Sequence, residues 1–232
     1  MRPIVAHMLL LVLLCAAYSV CIILGISFII ALSNHLYSFA NHCLLFSSGK
    51  YEDSGEFTPD WSSSSYCYVS LIVASLSVIL AFTKLVKTSM MLYKGTRQTF
   101  AIAFKMTASA LIIVFLILVC GILISAGFAT WCKSVDERFS RGCEAAAASM
   151  IIANNTENIY VKEFFTNLET SQFSIWSSLV IWVFALTICG RLLFVAHERA
   201  NIRISMAREI RRYNSPPDHA NQPSILPYRD IT

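Results

Sequence analysis

Apolar residues fall into four long runs separated by short polar stretches. A helix rises about 1.5 Å per residue, so about 20 apolar residues cross the hydrocarbon core of a bilayer. Runs over about 8–32, 66–88, 105–131 and 173–195 meet that length. No Asp or Glu lies inside any of them, and Lys105 and Arg191 stand near the ends. Lys84 and Lys87 close the second run, where their long stems can carry the ammonium groups out to the interface. The pattern predicts an all-α integral membrane protein with a four-helix bundle over 1–197. Outer loops are expected over 33–65 and 132–172, and a tail over 198–232 that is first helical and then disordered.

Composition agrees. Hydrophobic residues make up 56% of the 232 and charged ones 14%, against about 25% charged in soluble domains. That balance excludes a disordered chain, a collagen-like rod and a nucleic-acid-binding domain, so no nucleic-acid partner is expected. The first run also resembles a signal peptide, with Arg2 before it and Cys15-Ala16-Ala17 as a possible cleavage region. Cleavage would leave Val20 to Leu32, too short to span comfortably, so the uncut helix is the preferred reading.

Charge sets the orientation, because Lys and Arg accumulate in cytosolic segments. Lys84, Lys87, Lys94, Arg97 and Lys105 stand between the second and third runs without an acid, and the tail is rich in Arg. The loop over 33–65 sets Lys50 against Glu52, Asp53, Glu56 and Asp60, and the loop over 132–172 is also net acidic. Both termini are therefore expected in the cytosol of a plasma membrane or endomembrane. The net charge of +4 describes topology more than any anionic partner.

Four cysteines, Cys43, Cys67, Cys132 and Cys143, fall in or beside the outer loops, where disulfides form. Three pairings are open to them. One bridge per loop, Cys43 with Cys67 and Cys132 with Cys143, is favoured because bridges local in sequence can close before the helices assemble; a cross-loop arrangement stays open. Cys15, Cys21, Cys120 and Cys189 lie in helices as small apolar residues. Asn154-Asn155-Thr156 places a glycosylation acceptor, Asn154, in the second outer loop.

Chemistry-bearing motifs are missing from the chain. It has no HExxH, CxxC, GxSxG or Gly-rich phosphate loop, so no catalytic residue, metal or cofactor is assigned. His35 and His42 share an outer loop seven residues apart and read as solvated loop histidines rather than metal ligands. Asp136-Glu137 reads as loop solvation. With no mid-membrane charge and all six prolines outside the spans, transport by the monomer is disfavoured. Small residues recur four apart in Ala17-Cys21-Gly25, Ser70-Ala74, Ser77-Ala81 and Gly121-Ser125, which allows close helix packing within the bundle.

Cys43-Leu44-Leu45-Phe46, Lys94-Gly95, Gly127-Phe128, Trp131-Cys132, Cys143-Glu144 and Gln172-Phe173 with Trp176 and Ser178 together resemble transmembrane protein 179 and its relatives. The resemblance runs from about Cys43 to Trp182. It implies a four-pass protein without an established reaction or substrate, and carries over no functional residue. Claudin-like proteins are less similar, since they pair a W-x-L-W-type signature with two close cysteines in the first loop; here Trp61 is alone and Cys43 and Cys67 are well separated. The Cys-Cys-Gly of tetraspanins and the three cysteines per loop of connexin-like proteins are absent.

Beyond the fourth run, Arg191 to Tyr213 holds no Pro or Gly and predicts a continued helix, with Ile202, Met206 and Ile210 as an apolar stripe among arginines that can attract anionic membrane lipid. Ser215-Pro216-Pro217 ends it. In the tail, Tyr228 and Ile231 have the spacing of a tyrosine-based sorting motif. Trp176 and Trp182 project about 120° apart on the fourth helix. Trp176 suits an interfacial belt, which leaves Trp182 as the candidate partner contact. The functional expectation is a non-enzymatic accessory or scaffolding subunit of a larger membrane protein such as a channel, receptor or transporter. The alternative is a membrane enzyme or small transporter whose site forms only on oligomerisation.

Overall fold

The computed structural model describes residues 2–51, 57–96, 98–136, 143 and 164–214. Four helices carry the chain: α1 (Arg2–Ser38), α2 (Ser65–Lys94), α3 (Phe100–Asp136) and α4 (Phe164–Asn214), with strands β1 (Cys43–Tyr51) and β2 (Phe57–Ser62) between α1 and α2. All four helices are long and apolar enough to cross a membrane. Each is also longer than its apolar run, because nothing in the flanking sequence breaks it. α1 has no Gly or Pro after Gly25 until past Ser38, and α2 stops only where Gly95 adopts a left-handed conformation, φ 60°, and its N–H bonds the Leu92 carbonyl.

α1 packs against both α2 and α4, and α3 against α4, whereas α2 and α3 meet over a much smaller area. The ring of helices is therefore open along one seam. Small residues set the closest approaches. A Cβ on Gly25 would lie 2.5 Å from Val78 Cγ2, so α1 can meet α2 there only without a side chain. Ala17, Cys21, Ser70, Ala74, Ser77 and Ala81 are all buried, in keeping with packing inside the bundle. The heart of the interior holds Leu14, Tyr18, Phe28, Ile113, Ile124 and Trp182.

The first outer loop is more ordered than its polarity suggests. α1 runs through Ser38, and after a turn with positive φ at Ala40 and Asn41 the chain forms an antiparallel hairpin with Ser48 opposite Asp60 and Lys50 opposite Thr58. The ladder is irregular between Cys43 and Ser48, where Phe46 also takes φ 61°. There Ser47 bridges the gap: its hydroxyl donates to the Cys43 carbonyl at 2.8 Å and accepts the Ser62 N–H at 2.9 Å. Pro59 is tolerated because a two-stranded ladder leaves one edge of each strand open. The hairpin end of the bundle is termed the outer end, after the orientation expected from charge, and the end where α1 begins the inner end.

Candidate functional site

Two groups of side chains stand out, one beneath the hairpin and one inside the bundle. At the outer end, Leu44 and Leu45 are buried against the helices, and a Cβ on Gly127 of α3 would come within 2.9 Å of Leu45 Cβ and 3.1 Å of its Cα. The absent side chain lets the hairpin backbone seat directly on α3. Cys43 is bonded to Cys67 at the start of α2, which ties the base of β1 to a second helix. Cys132 at the end of α3 is bonded to Cys143. The pairing is one bridge per loop, and Cys15, Cys21, Cys120 and Cys189 are free thiols in helices.

An aromatic stack fills the space under the strands. Trp61 lies against His42 at 4.8 Å between centroids, Trp131 at 6.2 Å and Phe39 at 6.2 Å. His35 is fully buried on α1, and its Nε2 accepts the Leu44 N–H at 3.4 Å. His35 is not the solvated loop residue expected from sequence, because it lies on α1 with the hairpin folded over it, whereas His42 is half-buried against Trp61. Among the described residues no group of three or more His, Cys, Asp or Glu is placed to hold a metal.

Inside the bundle the notable residue is Lys84. Its side chain does not run out to the interface as its position near the end of the second run suggested. It turns inward, 5% exposed, and Nζ donates to the Met106 carbonyl of α3 at 2.7 Å. The ammonium also lies 5.6 Å from the Trp182 ring and 5.9 Å from the Tyr18 ring, close enough for cation–π attraction. The bundle therefore buries a cation near the end of the second span, which corrects the expectation that the Lys84 ammonium reaches out to the interface. Beside it, the Tyr18 hydroxyl meets Cys189 Sγ at 3.5 Å and the two rings pack at 5.8 Å.

Trp182 is fully buried, and its Nε1 donates to Ser77 Oγ at 3.0 Å. It is a packing residue, not the partner contact expected of it, because α4 turns that face toward α1 and α2. Trp176 is the outward tryptophan, 37% exposed, with Nε1 donating to Ser125 Oγ at 3.0 Å; the Gln172 amide donates to the same oxygen at 3.0 Å. Asn154, Tyr228 and Ile231 lie outside the described residues.

A signal for Lys84 was present in the sequence. The buried residues of α2 include Ser70, Ala74, Ser77, Ala81, Lys84 and Thr88, spaced alternately four and three apart. That spacing keeps one helix face inward, so extending the small-residue stripe by one step reaches Lys84. The stack of Trp61 on Trp131 had no comparable signal, since it joins segments far apart in the chain.

The fold and these sites define a four-pass membrane protein with two loop disulfides, Cys43–Cys67 and Cys132–Cys143, and a hairpin seated on the helix ends. The chain matches the family model Transmembrane protein 179/179B Claudin domain over residues 10–214 and belongs to that family. The claudin relationship that the wide cysteine spacing and single tryptophan argued against is thus real. The W-x-L-W-type pattern was too narrow a criterion. No solved structure matches the chain.

Proposed function

We propose that this protein is a non-enzymatic accessory or scaffolding subunit that engages a larger integral membrane protein through its outer face, with both termini in the cytosol. The observation that supports this reading is the seating of the hairpin. Leu45 on Gly127, the Cys43–Cys67 bridge and the Trp61–Trp131 stack fix the strands to the helix ends while Ser48, Lys50 and Asp60 remain exposed above them. A surface ordered before binding loses less conformational entropy on association. Among the described residues the sheet has two strands only, so a partner strand can add to it. The charge bias between loops supports the orientation.

The test is a glycan placed on the hairpin. Ser48→Asn with Lys50→Thr creates an acceptor at Asn-Gly-Thr on the exposed edge of β1. The variant should gain a glycan, reach its membrane normally, and lose most of a stoichiometric membrane partner that co-purifies with wild type in mild detergent. Absence of the added glycan would remove the outer assignment of the hairpin. Undiminished partner recovery on a glycosylated hairpin would remove the outer contact.

A further inference from the structure

The open seam between α2 and α3 widens at the inner end into a cleft of about 420 Å³ lined by Leu80, Thr83, Lys84, Lys87, Lys105 and Met106, with Ser109 at its edge. Three lysines line it, Lys84 buried and Lys87 and Lys105 exposed. No acid stands on α2, and the first on α3 is Asp136 at the opposite end of that helix. Lys84 is held by one carbonyl and two ring faces, none of which carries a full negative charge. A buried ammonium without a counter-charge is costly, and the helices facing this cleft supply no anion to compensate it.

The depth of the cleft indicates where an anion would come from. At about 1.5 Å per residue, the stretch of α2 from Ser65 to Lys84 covers about 30 Å, the thickness of the hydrocarbon core. The lysines therefore sit where acyl chains give way to headgroups. Leu80, Ile102 and Met106 give the cleft apolar lining, and Thr83 and Ser109 line it as well.

We propose that this cleft binds an anionic phospholipid of the inner-end leaflet, its headgroup phosphate among Lys84, Lys87 and Lys105 and an acyl chain along the open seam. Three cations exceed the single negative charge of a phosphodiester. A headgroup that also carries a phosphomonoester, which adds about −1.5 to −2 at neutral pH, matches them better. Topology alone would place lysines near this level, but it does not require one to be drawn between helices, or two more to face the same opening.

Native mass spectrometry of the full chain in detergent tests this, with phosphatidylinositol 4-phosphate, phosphatidylserine and phosphatidylcholine of identical acyl composition as probes. Retention should fall in that order. A basic residue near the surface contributes about fivefold in affinity, so Lys87→Gln with Lys105→Gln should weaken phosphatidylinositol 4-phosphate about 25-fold. Lys94→Gln, outside the cleft, should change it less than twofold. Equal losses in the two variants would show a diffuse field and overturn the site. Displacement of the lipid by equimolar soluble inositol 1,4-bisphosphate would overturn its assignment to a membrane lipid. Should the double variant not fold, wild-type protein treated with a headgroup-photoreactive phosphatidylinositol 4-phosphate decides the matter. Cross-links within 80–109 support the site, and cross-links confined to Arg199 and Arg203 overturn it.

Discussion

Trp176 and Trp182 stand six residues apart on α4, and their surroundings divide them. Trp182 fills the space between Tyr18 and Lys84 and satisfies its N–H on Ser77. Removing it opens a large cavity and strips one face from the buried ammonium. Trp182→Ala should destabilise by about 3 kcal/mol, at the low end for large buried side chains, because hydrocarbon surroundings remove part of the transfer term. Trp176→Ala loses a partly exposed ring and its bond to Ser125, and membrane hydrogen bonds average only about 0.6 kcal/mol. Thermal unfolding of the two variants in one detergent should show the larger fall for Trp182→Ala; the reverse order would contradict the burial described here. Angular separation on a helix established that the two tryptophans differ. It could not say which points inward, since that depends on where α1 and α2 lie.

At the level of whole elements the hairpin depends on three ties of different kinds. Its disulfide closes a longer segment than the second bridge, with partners 24 residues apart against 11. On a chain-entropy basis the loss of Cys43–Cys67 should cost about 3.5 kcal/mol and the loss of Cys132–Cys143 about 2.8 kcal/mol. Paired Cys→Ser variants compared by thermal unfolding check that order. The seat on α3 is tested by Gly127→Ala, whose Cβ meets Leu45 side chain and backbone together. Backbone cannot swing aside as a flexible tip can, so the variant should lose about 1 to 3 kcal/mol. Limited proteolysis of the intact protein should then cut faster within β1 and β2. An unchanged cleavage rate would mean that the hairpin is held without α3.

For the molecule as a whole, the order of helices around the ring matters most. α1 sits between α2 and α4, and α3 is held mainly by α4 and the hairpin. The seam this leaves between α2 and α3 is the opening onto Lys84. Four spans place the start of α1 and the end of α4 on one side, which is the cytosolic side in the orientation proposed above. Epitope tags at either end should be inaccessible in intact cells, and Asn154 should carry a glycan removable by an N-glycosidase; an externally stained tag would reverse the orientation.

Much of this is legible in the amino-acid sequence. Hydrocarbon imposes a length and an absence of acids that a run of residues either meets or fails, so the four spans are a local property of the chain. The outer cysteines follow from the same reading, because span positions divide the thiols between lipid and loop, and the shorter sequence separations favour the pairs found here. Lys84 was legible in part, since heptad spacing puts it on the inward face of α2, but its polarity argued for the interface. What only the tertiary structure decided is which distant groups meet. Leu45 reaches Gly127, Trp61 reaches Trp131, and Lys84 reaches the Met106 carbonyl. In a chain whose four helices are almost uniformly apolar, hydrophobicity cannot rank one neighbour above another. Shape at small residues and the few polar atoms that must be satisfied make that choice, and both act only once the helices are side by side.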